Sequence, residues 1–150
     1  MPVPEEVLAA ARAAIGVRGQ AVSHRIELGA IRRFVEAIGD SNPLYTDAEF
    51  ARTTRFGGII APPTFLCTLH AGGAALPVRF GRVTLNGGNE YEWFRPVRPG
   101  DVITAQSQLA DVRAVDGRSG AMLILTSEIR YTNQDDELVA IGRSTGIRRE

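Results

Sequence analysis

Residues 39–45 have the sequence Gly-Asp-Ser-Asn-Pro-Leu-Tyr, and residues 55–61 have the sequence Arg-Phe-Gly-Gly-Ile-Ile-Ala. The first stretch combines small polar residues with a proline, which is typical of an ordered loop. The second contains two adjacent glycines, which is typical of a tight turn. Both stretches are therefore predicted to connect regular elements.

Helical patterns flank both stretches. Apolar residues recur at helical spacing from Ala30 to Ile38, and Gly39 is placed to end that helix. After the second stretch, Pro62-Pro63 opens a run over 64–75 that is almost wholly apolar. Prolines are tolerated in a first helical turn, and a helix that is apolar on every side belongs in a core. We therefore predict a buried helix from Pro62 to Ala75.

The remaining elements change type along the chain. A helix is predicted from Pro4 to Ile15, a strand from Gln20 to Leu28, and a short helix that Asp47 caps. Four strands separated by turn signals are predicted over 82–94, 102–115, 121–133 and 138–148. Since these strands follow one another directly, we predict an antiparallel meander. A deeply buried helix needs a sheet around it, so the predicted fold class is α+β.

Length and composition set bounds on function. The chain has 150 residues, and we predict that residues 1–150 form one domain. Acidic and basic residues balance at 17 each, so no strong field favours nucleic acid or a membrane surface as a partner. Cys67 is the single cysteine, which fits a reducing compartment. The first residues lack a signal-peptide pattern and no apolar run is long enough to span a membrane, so we expect a cytoplasmic protein.

Residues 37–65 resemble the MaoC-like family of (R)-specific enoyl-thioester hydratases and 3-hydroxyacyl-thioester dehydratases. The resemblance rests on residues 39–44, Asp47, Phe50-Ala51 and residues 55–61, and the stretch from Glu90 to Asp101 is also similar to this family. It implies the hot-dog fold, in which a curved antiparallel sheet wraps round a central helix, here the predicted helix from Pro62 to Ala75. The chain is most similar to the N-terminal, non-catalytic half of double-hot-dog members, which implies dimers or fused pairs of domains.

The resemblance also implies a reaction, the reversible addition of water to a 2-enoyl thioester of coenzyme A or acyl carrier protein, without any further cofactor. Such chemistry needs a base, and a donor for the negative charge that develops on the thioester oxygen. The family supplies an aspartate, a histidine five residues later, and a backbone N–H in a His-Gly pair. Asp40 matches the aspartate, and Asn42 matches the family asparagine. Tyr45 stands at the histidine position, and Pro62-Pro63 replaces His-Gly.

These two departures alter the expected chemistry. A tyrosine has an ordinary pKa of about 10, so it is a poor base at neutral pH, although its hydroxyl can donate a hydrogen bond. Proline has no N–H, and Thr64 offers the next N–H together with a hydroxyl. The candidate catalytic residues of the altered motif are Asp40 and Tyr45. The candidate substrate-binding residues are Asn42, Pro63 and Thr64.

Three functions remain open at this point. In the first, the chain shapes the acyl pocket of a heteromeric hydratase or dehydratase, and a partner chain with an intact motif supplies the Asp/His pair. In the second, the chain is a self-sufficient homodimeric hydratase that uses Asp40 with Tyr45 or Thr64. In the third, it is a non-catalytic module that binds an acyl thioester or acts as a scaffold. A hot-dog thioesterase explains the Asp-Ser-Asn-Pro segment poorly.

The other reactive side chains are interpreted structurally. His70 is expected to be a buried, hydrogen-bonded core residue, and Cys67 a small buried apolar residue. His24 lies on a predicted strand, has no partner in sequence and is assigned no role. The spacing of His, Cys and acidic residues does not match that of metal ligands, so no metal site is expected.

Overall fold

The computed structural model describes residues 2–73, 77–118 and 120–149. In these ranges the α-helices are α1 (Glu5–Ala13), α2 (Leu28–Ile38) and α3 (Ala48–Thr53). Two 3-10 helices cover Pro43–Tyr45 and Pro63–Thr68. The strands are β1 (Val22–Arg25), β2 (Val83–Trp93), β3 (Val102–Gly117), β4 (Gly120–Thr132) and β5 (Leu138–Arg149). Over the same ranges, none of the helices is long and apolar enough to cross a membrane.

The five strands form one antiparallel sheet in the order β1-β3-β4-β5-β2. Strands β3, β4 and β5 follow one another as the predicted meander. The prediction is wrong for β2, which pairs with β5 at the far edge of the sheet instead of with β3. The segment between β2 and β3 contains Pro96 and Pro99, whose fixed φ angles disfavour a tight hairpin. Its Val97 carbonyl oxygen accepts the N–H of Ala61 at 2.8 Å, which holds the segment against the chain that precedes Pro62.

Irregular strand pairing curls this sheet. The register shifts between Asn86 and Gly88, between Leu109 and Asp111, and between Tyr131 and Thr132. An extra residue in one strand bends that strand and increases its twist. Residues of α2 and of both 3-10 helices share one buried cluster with the sheet residues Ile103, Tyr131 and Val139. The fold is therefore α+β: a curled, five-stranded half-barrel packed against helices.

Helix α2 positions the loop that carries Asp40. Ile31 and Val35, which lie on one helix face at i and i+4, are fully and almost fully buried. Gly39 adopts the left-handed conformation with φ 68°, as its place after the apolar pattern predicts. The N–H of Asp40 then donates to the Val35 carbonyl oxygen at 3.2 Å. The helix therefore ends where predicted, and Asp40 is the first residue of the loop.

The predicted helix from Pro62 to Ala75 is wrong in both length and burial. Only Pro63–Thr68 is helical, as a 3-10 helix, and its Thr64, Cys67 and Thr68 are exposed. Gly72 forms a bridge with Gln106 of β3, and a Cβ on Gly72 would lie 2.4 Å from the Gln20 carbonyl oxygen. This close backbone contact replaces a further helical turn. Ala74 and Ala75 lie outside the described residues.

The contact between β2 and β5 gives a test of this packing. Gly142 lies opposite Tyr91, and a Cβ on Gly142 would lie 2.8 Å from Cε1 of the Tyr91 ring. We expect Gly142→Ala to lower the free energy of unfolding by about 1–3 kcal/mol, because the ring must move from its packed position. Gly146→Ala, whose new Cβ has no neighbour nearer than 3.9 Å, is the matched control on the same strand. Urea unfolding measures both, and an equal loss in the two variants would contradict the contact.

Candidate functional site

Asp40 and Asn42 together shape the loop after α2. An Oδ1 atom of Asp40 accepts the N–H of Asn42 at 2.9 Å. Asn42 in turn accepts the N–H of Leu44 at 3.0 Å and so caps the 3-10 helix over Pro43–Tyr45. Asp40 is half-buried, whereas Asn42 is exposed. The two side chains are thus used first to fix the backbone that carries Tyr45, and one carboxylate oxygen of Asp40 is not used by this turn.

Tyr45 lies in the core beside that loop. It is 9% exposed and belongs to the same buried cluster as Ile60, Ala61 and Phe65. Burial raises the pKa of Tyr45 above its ordinary value, and the negative charge of Asp40 raises it further. The hydroxyl therefore stays protonated at neutral pH. It can donate a hydrogen bond or serve as an acid, but it cannot take a proton from water as a base.

Pro63 and Thr64 begin the second 3-10 helix, at the position of the predicted helix start. The Pro63 carbonyl oxygen accepts the indole N–H of Trp93 at 2.9 Å, which ties this helix to the end of β2. The Pro62 carbonyl oxygen accepts the N–H of Phe65 at 2.9 Å. Neither Pro62 nor Pro63 has an N–H to offer a ligand. Both Pro63 and Thr64 are exposed to solvent.

An apolar cleft opens beside Pro63, and we call it the proline cleft. It has a volume of about 350 Å³, and its apolar wall is formed by Phe56, Pro63, Phe65, Leu66, Trp93 and Phe94. Trp93 and Phe94 remain 43% and 49% exposed, which is unusual for adjacent large aromatic residues.

Two arginines also line the proline cleft. The Arg55 guanidinium lies 4.8 Å from the centre of the Phe56 ring, and Arg95 pairs with Glu137 at 3.0 Å. The cleft therefore combines an apolar interior with positively charged groups, one of which already has an acidic partner.

The predicted site residues fall into two groups. Asp40, Asn42 and Tyr45 share one loop, and Asp40 is close enough to Tyr45 for its charge to raise the tyrosine pKa. Pro63 lines the proline cleft, while Asp40, Asn42, Tyr45 and Thr64 do not. The connection between the groups is the buried cluster that Tyr45 shares with Ala61 and Phe65.

Sequence reasoning assigned no role to the aromatic pair Trp93-Phe94. The two residues occur inside the stretch that resembles the family, but nothing in their local pattern shows that they stay exposed. Their exposure follows from the position of β2 at the sheet edge, where only one side has a strand partner. Two adjacent aromatic residues at the end of a strand are the only sequence signal that could have identified them.

Two smaller predictions are wrong. Cys67 and His70 are exposed rather than buried, because the segment that holds them is not a helix inside the core. The hydroxyls of Tyr91 and Tyr131 share a hydrogen bond, and burial raises the pKa of both phenols. Within the described ranges, no three His, Cys, Asp or Glu side chains are grouped so that they could hold a metal ion.

Comparison with known proteins shows the family to which this chain belongs. The family model for the FAS1-like dehydratase domain region matches residues 13–141, and the chain belongs to this family of hydratases and dehydratases. Among solved structures, a MaoC-like dehydratase from Rhodospirillum rubrum is 28% identical, with a TM-score of 0.73 over 91% of this chain and 94% of that one. The hot-dog fold and the resemblance to MaoC-like enzymes are thereby confirmed.

Several individual proteins are similar to this chain in sequence or in fold. A UPF0336 protein of Parafrankia sp. (strain EAN1pec) is 35% identical over 125 residues, which cover 79% of this chain and 80% of the relative. A probable enoyl-CoA hydratase alpha subunit of Thermomonospora curvata is 30% identical over 132 residues, which cover 75% of this chain and 41% of the relative. The ChsH1-ChsH2 complex from Mycobacterium tuberculosis contains a chain with the same fold, at a TM-score of 0.78, 23% identity and coverage of 97% and 90%.

The electrostatic contact between Asp40 and Tyr45 is testable in solution. We expect Asp40→Asn to lower the pKa of Tyr45, because a negative charge that opposes ionisation of the phenol is removed. Ultraviolet absorbance of tyrosinate during an alkaline titration measures this, and Tyr45→Phe identifies which transition belongs to Tyr45. Asp47→Asn, which exchanges one good helix cap for another, is the control. An unchanged Tyr45 transition in Asp40→Asn would show that the two groups do not interact.

Proposed function

We propose that this chain is the pocket-forming subunit of a heteromeric enoyl-thioester hydratase or 3-hydroxyacyl-thioester dehydratase. In this proposal the chain holds the acyl group, and a partner chain with an intact Asp-x-Asn-Pro-x-His motif supplies the catalytic pair. The observation that carries it is the proline cleft, an apolar cavity lined by Pro62 and Pro63, the N-cap and the first residue of the second 3-10 helix, neither of which has an N–H. The proposed setting is the cytoplasm.

The missing base supports a division of labour. Hydration requires a group that removes a proton from water as the oxygen attacks the β-carbon. The residue at the histidine position is Tyr45, and both burial and Asp40 raise the pKa of Tyr45, so that at neutral pH an even smaller fraction of it than of an exposed tyrosine is the phenolate that could accept a proton. Asp40 is left without the histidine with which the family pairs its aspartate, so the loop lacks an acid/base pair of the expected kind.

The missing oxyanion donor supports the same conclusion. Negative charge develops on the thioester oxygen, and a backbone N–H aimed at that oxygen stabilises it. The two prolines remove that donor, and the Pro63 carbonyl oxygen at this place is held by Trp93. The changes at Tyr45 and at Pro62-Pro63 lie in separate segments, yet both remove a catalytic function.

The proline cleft can hold an apolar chain. Its aromatic and aliphatic wall would bury the hydrocarbon part of an acyl group, which stabilises a complex by about 0.8 kcal/mol for each CH₂ group. We propose a thioester of coenzyme A or acyl carrier protein as the substrate, with no other cofactor. Arg55, at the cleft beside Phe56, is available to contact an anionic part of the carrier.

The exposed edge of the sheet is the proposed surface for the partner. Strand β2 is an edge strand of 11 residues, and within the described part of the chain it pairs with β5 alone. All of its residues except Tyr91 are exposed. An edge strand of this length offers a row of unpaired backbone groups to a second strand. Val83 and Leu85 are 36% and 45% exposed near one end of β2, and Trp93 is exposed at the other. A second hot-dog chain, identical or related, would cover this edge.

The relatives are consistent with this assembly. One is described as an alpha subunit of a probable enoyl-CoA hydratase, and a chain of the same fold occurs in a complex of two named components. The alternative of a self-sufficient homodimer is favoured by one observation, the proximity of Asp40 to Tyr45, since a carboxylate and a phenol could act together. A third possibility, an acyl-thioester binding or scaffold module, is an outcome of the experiment that follows.

The first experiment follows the loss of enoyl-thioester absorbance with crotonyl-CoA and with a longer enoyl-CoA. We expect no hydration by the pure chain, because it lacks a base and an oxyanion donor. Activity should arise when the chain is co-expressed with a MaoC-like chain that carries the Asp-x-Asn-Pro-x-His motif. In that complex Phe94→Lys should lower kcat/KM for the long substrate by about tenfold or more, because charge enters the apolar cleft.

The control for that variant is Phe50→Lys, which changes a phenylalanine that is 44% exposed and outside the cleft. It should leave kcat/KM close to that of the unmodified complex. Hydration by the pure chain that disappears in Asp40→Ala would contradict the proposal and support the homodimeric hydratase. Binding of the thioester without turnover, with or without a partner, would support the binding module.

The pairing surface has its own prediction. We expect Leu85→Lys to weaken association of the chain, with itself or with the co-expressed partner, by about tenfold or more, because an edge lysine opposes strand pairing. Val115→Lys changes an apolar residue on β3 that is 37% exposed and lies away from this edge, and it should leave association unchanged. Sedimentation velocity over a concentration series measures both. Equal behaviour of the two variants would exclude the β2 edge as the interface.

A further inference from the structure

A second cleft lies between β1, the first half of α2 and the second 3-10 helix, and we call it the arginine cleft. It has a volume of about 610 Å³. It shares Phe65 with the proline cleft but contains none of Asp40, Asn42, Tyr45 or Pro63. The proposed function therefore makes no use of it, and an inference about it does not depend on that function.

Two arginines without acidic partners line this cleft. Arg25 follows His24 on β1, and Arg33 lies on α2. Among the described residues, neither guanidinium has an ion pair or a hydrogen bond, unlike Arg52, Arg95, Arg113 and Arg143. Among the residues that the structure describes, no aspartate or glutamate lines the cleft, and the nearby N-cap residue Glu27 is exposed outside it. The cleft is thus positively charged in a chain whose formal net charge is zero.

The position of Arg33 adds a further positive contribution. A Cβ on Gly29 would lie 3.5 Å from a terminal nitrogen of Arg33, so the guanidinium folds back over the first turn of α2. The N-terminal end of a helix carries a partial positive charge. The guanidinium and the helix end therefore act in the same direction, and an anion beside Arg33 would be stabilised by both.

The rest of the cleft is partly apolar, and aromatic rings contact one another along it. A ring nitrogen of His24, Nε2, donates to the His70 carbonyl oxygen at 2.7 Å, because a carbonyl can only accept, and the two imidazole rings meet edge to face with centres 4.8 Å apart. Phe34 and Phe65 form a second edge-to-face pair at 5.5 Å, and Ile26 and Leu69 complete the apolar lining. The wall thus offers flat rings and aliphatic groups beside the charges.

We infer that the arginine cleft is a ligand site for a phosphate monoester whose organic part contains a planar ring, as in a nucleotide. A guanidinium binds phosphate through paired N–H groups, and two guanidiniums suit the nearly two negative charges of a phosphate monoester better than the single charge of a carboxylate. The apolar lining would contact the ring of the ligand. A free inorganic anion would leave that lining unused.

The test is a titration of the full chain with adenosine 5′-monophosphate, followed by ¹H–¹⁵N NMR. We expect saturable shifts confined to residues 23–34 and 65–69. Arg25→Gln and Arg33→Gln should each weaken binding about tenfold, because each removes one charge-assisted contact. Arg32→Gln is the matched control, since Arg32 is an exposed neighbour on the same helix that does not line the cleft. It should bind as the unmodified chain does.

Two further probes separate the sources of affinity. Inorganic phosphate should bind at least about tenfold more weakly than the nucleotide, because it cannot use the apolar lining. Octanoate, an aliphatic carboxylate, should also bind more weakly. Equal affinity for inorganic phosphate, tighter binding of octanoate, or binding that Arg25→Gln and Arg33→Gln leave unchanged would each overturn the assignment. Absence of any saturable shift with the nucleotide would overturn it as well.

Discussion

Pro62 and Pro63 place two backbone positions without an N–H at the end of β2, and Trp93 fixes them there by donating its indole N–H to the Pro63 carbonyl oxygen at 2.9 Å. This one contact joins the sheet edge to the second 3-10 helix. On one side it defines the wall of the proline cleft, in which Trp93, Phe94 and Pro63 lie together. On the other, it fixes two residues without an N–H at the position where the family has the backbone donor for an oxyanion.

The loop that carries Asp40 depends on a different set of contacts but leads to the same conclusion. Its turn is fixed by two side-chain acceptors, Asp40 and Asn42, and it ends in a tyrosine packed into the core. Burial is favourable for the aromatic ring and unfavourable for a phenolate, so the packing that stabilises Tyr45 also keeps it protonated. Under the proposed function, this loop therefore helps to shape a binding site and does not itself transfer a proton. The reaction of its family would then need groups from a second chain.

Features that a few neighbouring residues decide could be predicted from the sequence, whereas features that depend on contacts between distant segments could not. The end of α2 at Gly39 and the cap of α3 at Asp47 were predictable, since each is decided by a few neighbouring residues. The place of β2 beside β5 and the early end of the helix after Thr68 were not, because they depend on contacts such as Gly72 with Gln20. The same applies to the candidate site. Substitutions at Tyr45 and Pro63 are visible in the sequence, whereas the exposure of Trp93 and Phe94 requires knowledge of the sheet order.

Trp93 is the only tryptophan in the chain, and it lines the proline cleft, where the acyl group is proposed to bind. The most direct measurement is therefore its fluorescence emission during titration of the pure chain with a long-chain 2-enoyl thioester, with the enoyl absorbance recorded in the same cuvette. If the pure chain binds the acyl group but does not hydrate it, Trp93 emission will change saturably while the enoyl absorbance stays constant. An emission spectrum that does not respond to the thioester, or an enoyl absorbance that falls without any partner present, would contradict the proposed function.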